Sequence, residues 1–583
     1  MKAKTERKKR PAAPSAPPKA AVPRRGWLTS LAAGAAVVLA FWAYGPVLHG
    51  PFLFDDTVLP FSLSAASASL LDWIRGVRPV LMASYWLNTR LSGDDPYSYH
   101  VLNVAVHLAA AALVFLIVRR LLEWSHSLPA RRTLLAGFAA GLFLLHPVQT
   151  EAVAYVAGRS EALSMALLLA AYALFLYRRQ TAIAWWTVLP VLALYGLAVL
   201  SKEHTIVLPA LLLLTDFWWN PAFSFRGARA NWRLYAPLAL GAIGAAALFW
   251  KAILNSPSAG FGLRDLTWYQ YLFTQGRALF VYPAEFLLPV RLNADWDFAI
   301  SRTVFDHGAV FGLAALAALA AAAWRYRRRF PLACFGFFAY LVLMAPTSSI
   351  LPIADPLAER RLYTGMLGLL LIVADFAGRI RTDPKKLAAA FAALLLAATA
   401  MTHARAEVWA DPVTLWEDTA SKSPHKRRVL FQLATAYAGD YTDLARCRQA
   451  VSEYREVAQS WPPNYDLLID WALAYDCVNQ PDLALEKLRQ AASLDATAHV
   501  YTQMAKVYAE RRRWDEALDA LNTAEKLDPN FATTYAYRGK VYFSLNRLPE
   551  AVADYRRALA LDSSLENVVG QDLAVAQARL AGR

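Results

Sequence analysis

From residue 27 to about residue 403, apolar runs alternate with short polar turns, at lengths that suit helices crossing a bilayer, which need about 17 to 25 residues each. The runs lie near 27–47, 99–118, 133–146, 160–177, 183–200, 205–219, 234–253, 308–324, 331–346, 362–378 and 386–403. Several are short, which predicts helix ends buried in protein rather than in lipid. The stretch 268–290 is apolar enough to span but carries Gln275, Arg277 and Glu285. If it crossed, Arg325 to Arg329 would change sides and the tail would invert, so it reads as an interfacial or re-entrant piece. The pattern thus predicts about eleven spans, with the N-terminus inside and the C-terminus outside. In the long loop 49–97, Leu71 to Leu91 mixes Trp, Tyr and Leu with Arg at helical spacing, which predicts a helix on the membrane surface.

After Ala404 the pattern changes to a repeat of 33 to 34 residues, with Leu494-Asp495, Leu527-Asp528-Pro529 and Leu561-Asp562 closing successive units. Gly539, Tyr542, Ala551, Tyr555 and Ala558 occupy the small and large packing positions of a tetratricopeptide helix pair. Ala505, Tyr508, Ala517, Leu521 and Ala524 do so one unit earlier, and Ala472, Tyr475, Ala484, Leu488 and Ala491 before that. The chain therefore divides into a basic head (1–26), a membrane bundle (27–404) and a repeat tail (405–583). Within the tail the units are 424–462 (looser, as if four residues were inserted), 463–496, 497–530 and 531–564, with a capping helix at 565–581. The fold class is all-α, a polytopic membrane helical bundle followed by a soluble repeat solenoid.

Charge fixes the orientation. One set of turns reads Arg119-Arg120 to Arg131-Arg132, Arg178-Arg179, Arg226 to Arg233, Arg325 to Arg329, and Arg379 to Lys386. By the positive-inside rule this side is cytoplasmic, and the acid-rich turns face the periplasm, or the lumen of the endoplasmic reticulum in a eukaryote. The formal charge is +15, yet the first 25 residues carry nine Lys/Arg against one Glu, and much of the rest sits in the arginine turns. Lipid and topology account for such charge, so no nucleic-acid partner is expected. The head should be disordered, and the run from Trp27 to Leu48 reads as a retained first helix rather than a cleaved signal. Of three cysteines, Cys334 lies in an apolar run. Cys447 and Cys477 fall near one edge of the repeat array, either bridged or as two small buried residues.

The outer turns collect the candidate chemistry. Asp55 and Asp56 follow the first span; adjacent carboxylates repel, which raises one pKa and offers a base, whereas the bland reading is a solvated turn. His146-Pro147 with Glu151 and Arg159 closes the next pair of helix ends, either as a functional group or as a Glu151–Arg159 pair beside a proline stop. Lys202-Glu203 occupies a turn a few residues long, where Lys202 either snorkels or meets a lipid phosphate. Arg360-Arg361 starts a span from the outer side, against the positive-inside trend, and a bound phosphate would explain it. No His/Cys/carboxylate spacing suits a metal.

Taken in order, these motifs resemble the transmembrane and tetratricopeptide-repeat protein O-mannosyltransferases of the GT-C superfamily. The residues that carry the resemblance are Phe54-Asp55-Asp56, Arg78-Pro79, His100 with Asn103 and His107, and His146-Pro147 with Thr150-Glu151 and Gly158-Arg159. Further along they are Ser201-Lys202-Glu203, Asn293, Asp295 and Asp297, then Asp355, Glu359, Arg360, Arg361 and Tyr363. The resemblance implies a GT-C-like bundle, a polyprenyl- or dolichyl-phosphate sugar (usually mannose) as donor, and inverting transfer to a protein hydroxyl. It also implies an acidic base in the first outer loop. On this reading Asp55 is the base, with Asp56 orienting the acceptor or sugar. Lys202, Arg360 and Arg361 are phosphate contacts backed by Arg159 and Arg277, and Arg78, His146, Glu151 and Glu203 complete the site. No tightly bound cofactor or divalent metal is expected, and the repeat groove would hold a protein acceptor. Two other classes remain open, a membrane-anchored repeat scaffold for an envelope complex and transfer to a non-protein acceptor.

Overall fold

The computed structural model of the chain describes residues 26–582 except 62–68, 126–128, 179–181, 256–258, 262, 264–265 and 440–442. Apart from one isolated bridge between Ala259 and Ile353, the described residues form helices, turns and loops with no strand. Each apolar run expected to span falls in a helix, from Gly26–Ala43 to Pro384–Trp409. Among the described residues five of these are long and apolar enough to cross a membrane, or six if the pair Arg131–Leu145 and Pro147–Ala154, bent by 48°, counts as one span. Pro147 causes that bend: it cannot donate to the preceding turn and holds His146 in an extended conformation. The second leg then packs under Gly158, where any Cβ would sit 2.7 Å from the Ala152 carbonyl oxygen and 2.8 Å from that of Glu151.

The two classes of turn separate to opposite ends of the bundle. At one end Arg131 donates to the Ile380 and Thr382 carbonyls and Arg379 to that of Arg329. Arg178, Asn220, Asn231 and Tyr235 converge there on the buried Asp216 carboxylate. At the other end the acid-rich loops contact one another. The helix Trp268–Leu287 belongs to that end along its whole length. Near its start Tyr271 donates to the Thr347 carbonyl, in mid-helix Gln275 donates to that of Pro356, and near its close the Phe286 carbonyl accepts from His146. It therefore lies across the acid-rich end, as its Gln, Arg and Glu predicted. The helix expected over Leu71 to Leu91 is instead two, Leu70–Ile74 and Pro79–Ser92, because Pro79 forces Arg78 out of the helical region and restarts the chain. Between Pro331–Met344 and Leu362–Arg379, Gly336 and Gly368 let the backbones touch, and a Cβ on either would come within 2.6 Å of the other's carbonyl oxygen.

The last bundle helix runs to Trp409, past residue 404, because Thr402, Arg405 and Trp409 are buried on its packed face. An additional helix, Pro412–Lys422, follows at once with Asp411 as its N-cap. The repeat helices then come in pairs: Arg427–Ala438 with Leu444–Ser460, Tyr465–Cys477 with Pro481–Leu494, Ala498–Glu510 with Trp514–Leu527, and Ala532–Ser544 with Leu548–Leu561, before Glu566–Ala581. The looser first unit has a physical cause, a second helix of 17 residues where the later ones have 14.

The tail does not hang from a linker. Asp295 and Asp355, on acid-rich loops, face Lys426 and Arg428, with Arg428 reaching Asp295 at 2.6 Å and Asp355 at 2.8 Å and Lys426 reaching them at 2.6 and 3.3 Å. Burial opposes ionisation of Asp355, but Arg428 and Lys426 prevail and hold its carboxyl below the usual range. Ser423 accepts from the Asn293 amide and the Asp297 N–H and donates to the Asp295 carbonyl, while Lys422 caps the Leu292 carbonyl.

Cys447 and Cys477 are joined, with Cα atoms 6.2 Å apart and a sequence separation of 30. Closing that loop should stabilise the tail by about 3 to 4 kcal/mol in the chain-entropy model. Non-reducing peptide mapping should recover the Cys447–Cys477 linked peptide, and the Cys447→Ser, Cys477→Ser double variant should unfold at correspondingly lower denaturant. Two free thiols in the folded protein would overturn the pairing.

Candidate functional site at the acid-rich end

The first outer loop turns through a short 3-10 segment, Phe54–Val58. Three residues per turn set neighbouring side chains about 120° apart, so two adjacent carboxylates need not face the same environment. Asp55 is exposed, and its N–H donates to the Tyr155 phenol oxygen at 2.8 Å. Asp56 is buried. Its carboxylate accepts from the Leu53 N–H at 3.1 Å and the Ala157 N–H at 2.7 Å, fastening the loop to the turn before Gly158. Asp56, expected to orient acceptor or sugar, thus accepts from two backbone amides and positions the loop. Phe54 adopts φ +48°, a left-handed conformation costing about 1 to 2 kcal/mol for a side chain of this kind, so its surroundings must hold it there. An open cavity of about 350 Å³, lined by Phe52, Thr57, Phe61 and Asp94, lies beside the loop.

Beyond this loop, cations and carboxylates stand in pairs. Arg78 grips Glu203 with two bonds of 2.9 Å, and both side chains remain about 40% exposed. Lys202 reaches Glu161 at 2.5 Å and Ser160 at 3.0 Å, while the other Glu161 oxygen lies 3.5 Å from His204, which also meets Thr364. Arg360 pairs with Glu151 through its guanidinium and donates to it again from its own N–H at 2.8 Å. The three cations sense one another: burial first, then the charges of Arg78 and Arg360, draw the Lys202 pKa below its ordinary value despite Glu161. Glu151 pairs with Arg360, not with Arg159 as the bland reading had it.

The remaining predicted residues separate from this group. Arg159 is fully buried, sandwiched between the rings of Tyr85 and Tyr99, and donates to Asn103, Asn88 and the Tyr99 carbonyl at 2.8 to 3.1 Å. Arg361 donates to the Asp355, Pro356 and Thr347 carbonyls, and Arg277 to the Ala299 carbonyl and Ser301. Arg159 and Arg361 are buried and spend their guanidinium groups on protein acceptors, so each fastens neighbouring segments together. His146 accepts the Val148 N–H on Nδ1, so Nε2 carries the proton and donates to the Phe286 carbonyl at 2.9 Å. It ties the Trp268–Leu287 helix to the proline bend. Asn103 and His107 are likewise structural, and His107 bridges Tyr363 and the Leu144 carbonyl.

Sequence reading passed over Glu161 and Tyr155. Glu161 was detectable as a carboxylate in the first turn of an otherwise apolar helix. Tyr155 gave no signal, since its role depends on a loop a hundred residues away.

Burial pushes the Asp56 carboxyl up to about 7, against the pull of peptide N–H groups at Leu53, Ala157 and Val156, with the Asp55 charge adding a smaller upward push. The folded chain therefore holds this proton more tightly than the unfolded one. That stabilisation is complete below the ordinary carboxylate range and is lost as pH rises to about 7. The thermal stability of the wild type relative to Asp56→Asn should accordingly fall between about pH 4 and 7 and level off above. A difference constant across that window would mean Asp56 is ionised throughout.

Comparison with known proteins finds relatives for both the bundle and the repeats. The family descriptions TPR repeat and Tetratricopeptide repeat match residues 505–546 and 532–565. Protein O-mannosyl-transferase TMTC3 of Mus musculus is 23% identical over 552 residues, covering 84% of this chain and 57% of that protein. Protein O-mannosyl-transferase F38B6.6 of Caenorhabditis elegans is 26% identical over 432 residues, covering 68% of this chain and 58% of that one. Protein O-mannosyl-transferase Tmtc1 of Drosophila melanogaster is 32% identical over 191 residues, 30% of this chain and 21% of its own length. The chain thus spans a little over half the length of the two relatives it matches most fully among these. Among solved structures, a thermophilic TPR protein of Thermus thermophilus covers 31% of this chain and 94% of its own at 21% identity, with a TM-score of 0.26. The resemblance drawn from the motifs therefore holds: over most of its length this all-α membrane protein is similar to the transmembrane and tetratricopeptide-repeat protein O-mannosyltransferases.

Proposed function

We propose that the chain is a membrane glycosyltransferase that moves a sugar, mannose by its relatives' names, from a polyprenyl- or dolichyl-phosphate donor to a Ser/Thr hydroxyl of an exported protein. The observation that carries this reading is an exposed carboxylate, Asp55, on a loop fastened by buried bonds at the same end as three partly accessible cations. Asp55 takes the proton of the acceptor hydroxyl as its oxygen bonds to the anomeric carbon. The bond from that carbon to the phosphate oxygen breaks on the opposite face, giving inversion. The negative charge that develops on the leaving lipid phosphate is met by Arg78, Lys202 and Arg360. Their partners Glu203, Glu161 and Glu151 keep the site neutral before the donor arrives. The repeat tail supplies a protein-binding surface for the acceptor.

In purified enzyme given polyprenyl-phosphate mannose and a Ser/Thr peptide, Asp55→Asn should lower turnover by at least about 10². Near-wild-type turnover would remove Asp55 from the mechanism and leave the acceptor hydroxyl without an assigned base.

The reading also needs the acid-rich end to face away from the cytoplasm, in the periplasm of a bacterial inner membrane or the lumen of the endoplasmic reticulum. Arg302, exposed at the acid-rich end, and Arg328, exposed at the arginine-rich end, are suitable probes. A membrane-impermeant thiol reagent added from outside should label Arg302→Cys and spare Arg328→Cys, with the reverse from the cytoplasm. Labelling of Arg302→Cys from the cytoplasm would invert the topology and end the assignment of an exported acceptor.

A further inference from the structure

Phe54, half-buried and held in a left-handed conformation, directly precedes the proposed base and packs against both hydrophobic cores, that of the bundle and that of the repeat tail. On the bundle side its ring stacks at 6.4 Å on Tyr155, whose oxygen accepts the Asp55 N–H. On the tail side the Trp416 ring meets it edge-on at 5.5 Å, and the Arg428 guanidinium lies 5.8 Å from its centroid. Neither tail residue is free to drift. Trp416 is 4% exposed within the Pro412–Lys422 helix, and Arg428 is fixed in two directions by Asp295 and Asp355.

We propose that Trp416 and Arg428, at the foot of the repeat tail, are positioning residues for Asp55: they hold the Phe54 ring and with it the left-handed turn that presents the Asp55 carboxylate. The inference rests on the reading of Asp55 as base. A tail that only recruited acceptors would need no contact with this loop and could swing on a linker. Here its first helices form one wall of the turn. Removing residues 423–583 takes away Arg428 together with Ser423 and Lys426. Loss of transfer then falls on short and long acceptors alike, and such a truncation says nothing about the groove.

The test uses the full chain with Arg428→Ala, Trp416→Ala and Trp416→Phe, each assayed for transfer to a short peptide and for amide hydrogen exchange. Three amides report the turn: Asp55 N–H on Tyr155, Asp56 N–H on the Leu53 carbonyl at 2.8 Å, and Leu59 N–H on the Asp56 carbonyl at 3.2 Å. Arg428→Ala and Trp416→Ala should speed exchange at these amides and lower kcat by about tenfold to a hundredfold with KM for the peptide unchanged. Trp416→Phe, which keeps an aromatic edge and guards against simple misfolding, should stay near wild type on both readouts. Unchanged exchange at all three amides in Arg428→Ala and Trp416→Ala overturns the proposal whatever the activity. A raised KM at constant kcat also overturns it, placing the tail foot in acceptor binding instead. If the wild type itself transfers no mannose, the functional reading falls while the exchange data still decide the clamp.

Discussion

Charge inside an apolar bundle persists only when it is compensated, and the acid-rich end of this protein is organised by that constraint. Glu151 with Arg360, Glu161 with Lys202 and Glu203 with Arg78 each join residues far apart in sequence, so each pair also fixes one loop against another. Pairs of this kind add little net stability, because desolvation offsets most of the attraction. Removing one member strands the other, however, which makes the arrangement specific even where it is not strongly stabilising. A site assembled from paired charges is neutral before its ligand binds. A lipid phosphate would enter as a further anion competing with carboxylates for the same cations, and it can reach only those cations that keep an open face.

That distinction was not available from the sequence. The turns and the end of the bundle they share were legible because hydropathy and arginine placement follow from the bilayer itself. So was the placement of the Trp268–Leu287 helix, since Gln275, Arg277 and Glu285 gave it too many polar groups for a lipid-facing span. What could not be read was which arginine faces outward. Arg159 and Arg361 look like Arg360 in the sequence, yet the structure encloses both among carbonyls and amides. The same holds for Asp55 and Asp56, whose division of labour is set by the Ala157 and Leu53 N–H groups. Burial and backbone hydrogen bonding are tertiary properties, and a one-dimensional pattern carries neither.

The repeat tail was legible in the opposite way. Its period follows from small and large residues at fixed offsets, and even the looseness of the first unit reported a real difference, the longer Leu444–Ser460 helix. Its attachment was hidden. Pro412–Lys422 has no counterpart in the repeat pattern, and the residues that dock it, Ser423, Lys426 and Arg428, look like an ordinary solvated run. Their partners Asn293, Asp295 and Asp355 stood out only as part of the family-like motif set, with no role assigned to them. In the structure they are the seat of the tail, which explains polar character at the acid-rich end without assigning it to chemistry.

A seated tail changes what the repeats can do for a reaction at this end. A groove on a flexible linker raises the concentration of a bound acceptor near the site over a broad range of distances, with little regard to which hydroxyl is presented. A groove whose foot is fixed by Asp295, Asp355 and Ser423 holds its first helices at one distance and angle from Asp55. On the proposed function, selection would depend on how far along an extended acceptor the hydroxyl lies from the segment in the groove, so geometry as well as affinity would choose the site of modification. Rigidity of this kind requires bonds on both sides of the junction. The ion pairs, the Ser423 contacts and the Phe54 ring between two cores supply them.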